Sequence, residues 1–146
     1  MGLDLAIVLA KKGKKPVWDD YTQLAYGRKA WELCYELGGG SKPNEWFKLD
    51  TETWDRVIEK IAPIADKLPK IYEAYHKHIW QGQDLTPDEE ELIKEYEDWY
   101  DRTWDEEPQL GYDFSVGYMQ NFWDARMTVA AYQMSSEHDV YVMVSY

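Results

Sequence analysis

Leu3, Leu5, Ile7 and Leu9 alternate with Asp4, Ala6, Val8 and Ala10, a two-residue period that predicts a strand over residues 3–9 with its second face also partly covered. Near the other end Val140, Val142 and Val144 alternate with Tyr141, Met143 and Ser145, which predicts a closing strand able to pair with the first. In between, the period becomes helical. From Asp19 to Leu37 the apolar positions Leu24, Trp31, Cys34, Tyr35 and Leu37 keep roughly helical spacing, and Gly38 to Gly40 supply a left-handed stop, so a first helix is expected over 19–37. Ser41 to Asn44 reads as loop, Trp46 to Leu49 as a short strand, and Asp50 as the cap of the next helix.

Trp54, Val57, Ile58, Ile61, Ile64 and Leu68 mark one helical face, which Ile71, Tyr72, Tyr75 and Ile79 continue. Pro63 and Pro69 each remove a backbone donor and crowd the preceding turn, so two helical pieces are expected in place of one rod. The sharpest local signal is Thr86-Pro87-Asp88-Glu89: a capping hydroxyl, a proline at the first helical position and a glutamate three residues after the cap. That helix is expected to run to about Trp104, with Pro108 as its latest end. Leu110 to Phe114 reads as extended, and Tyr118, Met119, Phe122, Trp123, Met127, Ala130 and Ala131 describe a last amphipathic helix. Strands at both termini around a helical middle predict an α+β fold of four or five helices with a small sheet that includes the N- and C-terminal strands. No repeat or low-complexity linker divides the chain, so residues 1–146 are expected to form a single domain.

Composition changes this picture little. With 45% hydrophobic and 30% charged residues the chain lies far from the profile of disorder. Its only cysteine, Cys34, excludes an intrachain disulfide, suits a reducing compartment and falls among core positions. The apolar run Leu3 to Ala10 carries Asp4 near its start, is followed by its lysines, and is too short to span a bilayer. Gly2 lacks the myristoylation context, because Ala6 stands where that motif wants Ser or Thr. A cytoplasmic location without a membrane partner is therefore expected.

Charge changes it more. Asp84 to Glu107 holds twelve acids against Lys94 and Arg102, a net of −10, which leaves only −2 of the formal −12 for the rest of the chain. On a helical wheel Leu92, Ile93, Tyr96, Trp99, Tyr100 and Trp104 share one arc and are expected to face the core, leaving carboxylates on the other side. Glu90 can pair with Lys94 and Asp98 with Arg102, whereas Glu95, Glu97, Asp101 and Asp105 have no base on this helix. Asp105, Glu106 and Glu107 oppose the helix dipole if the helix reaches them. The bland reading is a solubilising face over a tryptophan-rich protein. The sharper one is a docking surface formed by Glu90, Glu97, Asp98, Asp101 and Asp105 for a basic protein, such as a nucleic-acid-binding protein that takes the carboxylates in place of phosphates. Carboxylates three or four residues apart rise about 4.5–6 Å, against about 3.4 Å between phosphates of one strand. Direct binding of DNA or RNA is disfavoured, since no basic stripe offsets the acidic field.

Catalytic signals are weak. His76 and His78 lie near Glu73, but residues two apart on a helix point away from each other, so no metal site is expected. Ser115, Ser135, Ser136 and Ser145 have no nucleophile-elbow context, and His138 between Glu137 and Asp139 reads as a polar turn. Gly38-Gly39-Gly40-Ser41-Lys42 follows a helix and lacks phosphate-loop spacing, and Lys11, Lys12, Lys14 and Lys15 read as a solvated turn in preference to an anion site. No catalytic residue, cofactor or metal is assigned. Eight tryptophans and twelve tyrosines exceed what one core of this size hides, so Trp18, Trp46, Trp80 and Tyr112, near predicted loops, are candidate interface anchors.

The opening Met1-Gly2-Leu3-Asp4 and the segment Tyr26-Gly27-Arg28-Lys29-Ala30 resemble a family of small uncharacterised phage and prophage proteins. Its members often open Met-Gly-Leu-Asp and carry Tyr-Trp-Arg-Lys-Ala in their first helix, so Gly27 replaces the family's tryptophan. About half of the chain is covered, the rest of the similarity being a short strand near Phe47, a helix after Asp50 and an aromatic segment around Tyr112 to Trp123. The resemblance implies a phage setting, hence host-cell cytoplasm, and no activity. By analogy with small acidic phage proteins it implies an inhibitor of a host nucleic-acid-processing or defence complex acting by mimicry. The competing expectations are a small enzyme with a carboxylate and histidine site near Glu73, His76 and His78, and a structural protein that self-associates through exposed aromatics.

Overall fold

The computed structural model describes residues 4–17, 21–38 and 44–145. The two terminal strands form the middle of its sheet. β1 (Asp4–Lys11) pairs antiparallel with β4 (His138–Ser145) from Asp4 opposite Ser145 to Lys11 opposite His138. On their flanks lie β2 (Thr22–Arg28), against β1, and β3 (Trp46–Lys48), against β4, giving the order β2-β1-β4-β3. The alternation in β1 separates two faces. Leu5 and Ile7 enter the main core, while Val8 and Ala10 join Tyr141 in a second cluster, against which Tyr21 and Trp46 pack edge to face with ring centroids 5.6 Å apart. The predicted partial cover on the second face is therefore present.

The expected helix over 19–37 is mostly a strand. Residues 19 and 20 lie outside the described residues, 22–28 form β2, and only α1 (Trp31–Glu36) is helical. The inward positions of β2 are Ala25 and Gly27, buried yet without a side chain large enough to register as apolar periodicity. A β-bulge also shifts the register opposite Ile7 and Val8, which breaks the two-residue period. The chain leaves the strand through Lys29 in a left-handed conformation, φ 54°. Gly38, φ 87°, does provide the stop after α1. Two shorter corrections follow the same logic. Residues 112–114 are helical, because Gly111 at φ 100° turns the chain directly into its last helix; and His138 and Asp139, read as a polar turn, belong to β4.

Five helices and a π-helical turn are found among the described residues. α2 (Thr51–Ala65) is capped as expected, Asp50 Oδ1 accepting the Thr53 N–H at 2.7 Å. It carries Pro63 near its end, and the chain restarts as α3 (Leu68–Tyr75) with Pro69 in the first turn, so the two pieces meet at residues 66 and 67. His76–Trp80 then widens into the π turn, closed by the Gln81 N–H on the His76 carbonyl at 3.2 Å. α4 (Pro87–Trp104) starts in a complete capping box: Thr86 Oγ1 accepts the Glu89 N–H, and Glu89 Oε1 accepts the Thr86 N–H at 2.9 Å. α5 (Tyr112–Gln133) lies between the sheet and α2 and α3, burying Val116, Met119, Phe122 and Val129. Met127, expected to face inward, is 74% exposed. The main core unites the inner face of the sheet with Trp54 and Ile61 of α2, Ile71 of α3 and Tyr96 and Tyr100 of α4. Each fully buried side chain of this size contributes roughly 1.5–3 kcal/mol.

Candidate functional site

α4 divides as its sequence predicts: Tyr96, Trp99, Tyr100 and Trp104 are buried, Leu92 and Ile93 half-buried against them, and Glu90, Glu91, Asp98, Asp101 and Asp105 exposed. Glu97 is half-buried. It accepts the hydroxyl of Tyr75 at 3.0 Å, and Asp101 accepts that of Tyr112 at 2.6 Å. The bases that reach α4 come from its neighbour in place of the helix itself. Lys67 meets Glu95 at 2.5 Å, and Lys77 meets Glu89 at 2.6 Å. The ammonium of Lys77 and the backbone N–H of Thr86 hold the Glu89 carboxyl down at about 2. Neither the Glu90–Lys94 nor the Asp98–Arg102 pair forms among the described residues. The acids nearest α3 are thus engaged, whereas Glu90, Glu91, Asp98 and Asp105 face solvent without an ion pair. The helix ends at Trp104, with Asp105 left-handed at φ 61° and its N–H on the Asp101 carbonyl at 3.0 Å.

Behind α4 lies a feature that sequence reading missed. Glu32 of α1 is only 8% exposed, and its Oε1 accepts the hydroxyls of Tyr100 and Tyr118, the latter at 3.0 Å. Those two hydroxyls are 3.2 Å apart. Burial pushes the Glu32 carboxyl up, against the opposing effect of the tyrosine hydrogen bonds. Tyr100 and Tyr118 are likewise pushed up, by burial first. Tyr96 shares a 2.6 Å hydrogen bond with Ser115, whose hydroxyl also lies 2.7 Å from the Tyr112 carbonyl. Cys34 is fully buried beside this group, and burial pushes its thiol up to about 12, which leaves no reactive thiolate at neutral pH.

Tyr118 also lines a cleft of about 510 Å³ between the end of β2, the π turn and the start of α5. Aromatic and aliphatic walls come from Tyr26, Tyr72, Trp80, Leu110 and Phe114. Trp80 meets Phe114 edge to face at 6.2 Å, and Tyr72 stacks on His76 at 6.3 Å. Of the ten large apolar side chains exposed among the described residues, these five share one concave surface, the arrangement typical of ligand sites and unlike scattered surface hydrophobics. Arg28, Asp113 and Asn121 supply its polar edge. Trp80, singled out from sequence, belongs to this cleft, while Tyr112 is half-buried and Trp46 packs on the sheet; Trp18 lies outside the described residues. Nothing in the sequence pattern joins Tyr26 to Phe114, because the cleft exists only once β2 lies against α5.

The candidate carboxylate and histidine group is divided. Glu73 and His76 line a shallow depression of about 450 Å³ with Lys77 and Glu89, but His78 Nδ1 is turned to the Gln83 carbonyl at 3.0 Å. No group of three histidine, cysteine or acidic side chains placed to hold a metal ion is found among the described residues. The lysine turn is partly committed: Lys12 and Lys48 flank the buried Asp139 at 3.1 and 3.3 Å, and the Gly13 N–H donates to it at 3.0 Å. That backbone N–H first, and then the two lysines, hold Asp139 down at about 2. The segment Tyr26-Gly27-Arg28-Lys29-Ala30 lies on β2 and its exit, not in a helix. A Cβ at Gly27 would already stand 3.6 Å from Tyr118 and 3.7 Å from Phe122. No described helix is long and apolar enough to cross a membrane. No family model, curated protein or solved structure matches this chain.

Proposed function

We propose that this protein works by binding, and that the outward face of α4 is the docking surface for a basic protein whose own surface otherwise takes a phosphate backbone. One observation carries this reading: the bases available near α4 neutralise only its inner edge, leaving Glu90, Glu91, Asp98 and Asp105 exposed without an ion pair. Complementary potential accelerates encounter and weakens with salt. Glu97 and Asp101 are assigned the lesser role of orienting α4, since each already accepts a tyrosine hydroxyl.

The test is affinity capture from a bacterial lysate, the source that the phage-like opening suggests, at low and at moderate salt, with wild type beside Glu90→Gln/Glu91→Gln/Asp98→Asn/Asp105→Asn. Asparagine tolerates the left-handed conformation at position 105. A basic protein retained by the wild type, released by salt and then shown with purified components to bind the variant about tenfold more weakly would support the reading; four rim charges at a few tenths of a kcal/mol each give that magnitude. Identical retention by both proteins would remove α4 as the docking surface.

A further inference from the structure

We propose that the cleft between β2, the π turn and α5 is a binding site for a small planar organic anion, its ring held among Trp80, Phe114 and Tyr72 and its acidic group by Arg28. This site is separate from the α4 surface and does not rest on it. The first argument is shape. Half of the exposed large apolar side chains among the described residues converge on one concavity of about 510 Å³, inside the range of small-molecule sites. Edge-to-face and offset-stacked rings at about 6 Å, as in the Trp80–Phe114 and Tyr72–His76 pairs, leave ring faces and edges available to a flat guest. At Gly117, in the wall, a Cβ would meet nothing within 4 Å, so the space above α5 there is open.

The second argument is charge. The Arg28 side chain makes no hydrogen bond or ion pair among the described residues, so its planar, always-charged fork is available to a carboxylate or phosphate. Asn121 accepts the Tyr26 N–H on its Oδ1 at 2.8 Å, which turns its NH₂ the other way and makes it a donor. The one acid in the wall, Asp113, sits in the first turn of α5, where the positive end of a 22-residue helix offsets its charge. Apart from the imidazole of His76, which stacks on Tyr72, the uncompensated groups at the polar edge are therefore donors, and they favour an acceptor-rich, anionic guest.

Three naphthalene probes of one shape and different charge decide the matter: 2-naphthoate, 2-naphthylmethanol and 2-naphthylmethylamine, titrated into the protein at about 0.15 M salt, where the field of α4 is screened beyond about 8 Å. Binding is read from amide chemical shifts. The expected result is saturable binding of 2-naphthoate with shifts confined to β2, the π turn and the start of α5, tighter than the alcohol and the amine. Arg28→Gln, an exposed substitution, is expected to weaken the naphthoate about tenfold and to leave the alcohol unchanged. Gly117→Leu, checked for native fold by circular dichroism, is expected to weaken both. Binding of none of the three at the cleft, preference for the amine, or naphthoate affinity unmoved by Arg28→Gln would each overturn the proposal; should Gly117→Leu fail to fold, the probe series and Arg28→Gln still decide it.

Discussion

A single carboxyl, Glu32, shows what residue-level chemistry adds to the fold. It stands in the core accepting hydroxyls from α4 and α5, so it ties three helices together while burial disfavours its charge. Because the folded protein holds the proton of Glu32 more tightly than an ordinary carboxyl near 4.5, this group's contribution is complete below that value and is lost as pH rises through the folded-state value. Glu89 and Asp139, held down at about 2, act in the opposite sense: their contribution is present above the ordinary carboxylate value and is lost as pH falls through about 2. The interval from 4.5 to about 8 therefore isolates Glu32 among these three groups. Glu32→Gln keeps an acceptor for both tyrosines and cannot titrate, so its stability relative to wild type is expected to increase with pH across that interval. Glu32→Leu, which leaves the hydroxyls without their acceptor, is expected to cost about 1–3 kcal/mol. Urea denaturation of the three proteins at several pH values measures both effects, and a pH-independent gap between wild type and Glu32→Gln would refute the first.

At the level of elements, β2 is defined by what its inward positions lack. Gly27 lets α5 approach so closely that an added Cβ would touch Ala30 at 3.4 Å, Tyr118 at 3.6 Å and Phe122 at 3.7 Å. Alanine fits such distances; an indole does not. Gly27→Ala is expected to change stability by less than about 1 kcal/mol, and Gly27→Trp to cost about 1–3 kcal/mol by overpacking. Thermal melts of the two variants check this, and equal stability would show that β2 and α5 separate more easily than their packing implies. The same closeness explains what sequence could convey. Elements whose buried faces are large and periodic, β1, β4, α2, α3 and α4, were readable because side-chain size follows burial there, and the Thr86 and Asp50 caps located two starts. β2 was not, because its buried face consists of Ala25 and Gly27. Nor could the cleft be foreseen, since its walls come from three segments that only the packing of β2 on α5 brings together. Sequence periodicity reports how deeply a residue is buried, not which distant residue buries it. That limit also hid the pairing of Lys67 and Lys77 with α4.

Over the whole molecule, the decisive quantity is the asymmetry of charge, a net −10 on residues 84–107 against −2 elsewhere. Within the fold that asymmetry is only partly relieved, since Lys67 and Lys77 are the bases paired with acids of α4 among the described residues. Unpaired like charges along one helix face destabilise it by a few tenths of a kcal/mol per pair, and Asp105 at the C-terminal end adds repulsion from the helix dipole. Stability alone does not call for such a face. Neutralising Glu91, Asp98 and Asp105, with Glu90 kept because an acid in the first turn of α4 favours the helix dipole, is therefore expected to raise the stability of the free protein by about 0.5–1 kcal/mol at low ionic strength. The gain should vanish towards 1 M salt, where screening acts within about 3 Å. Chemical denaturation of wild type and variant across a salt series measures the difference. A gain confined to low salt would mean that the outward carboxylates oppose folding and need another role, which docking supplies. A loss of stability at low salt would mean that they complement charges of the protein itself, and the docking surface would lose its physical premise whatever a capture experiment retained.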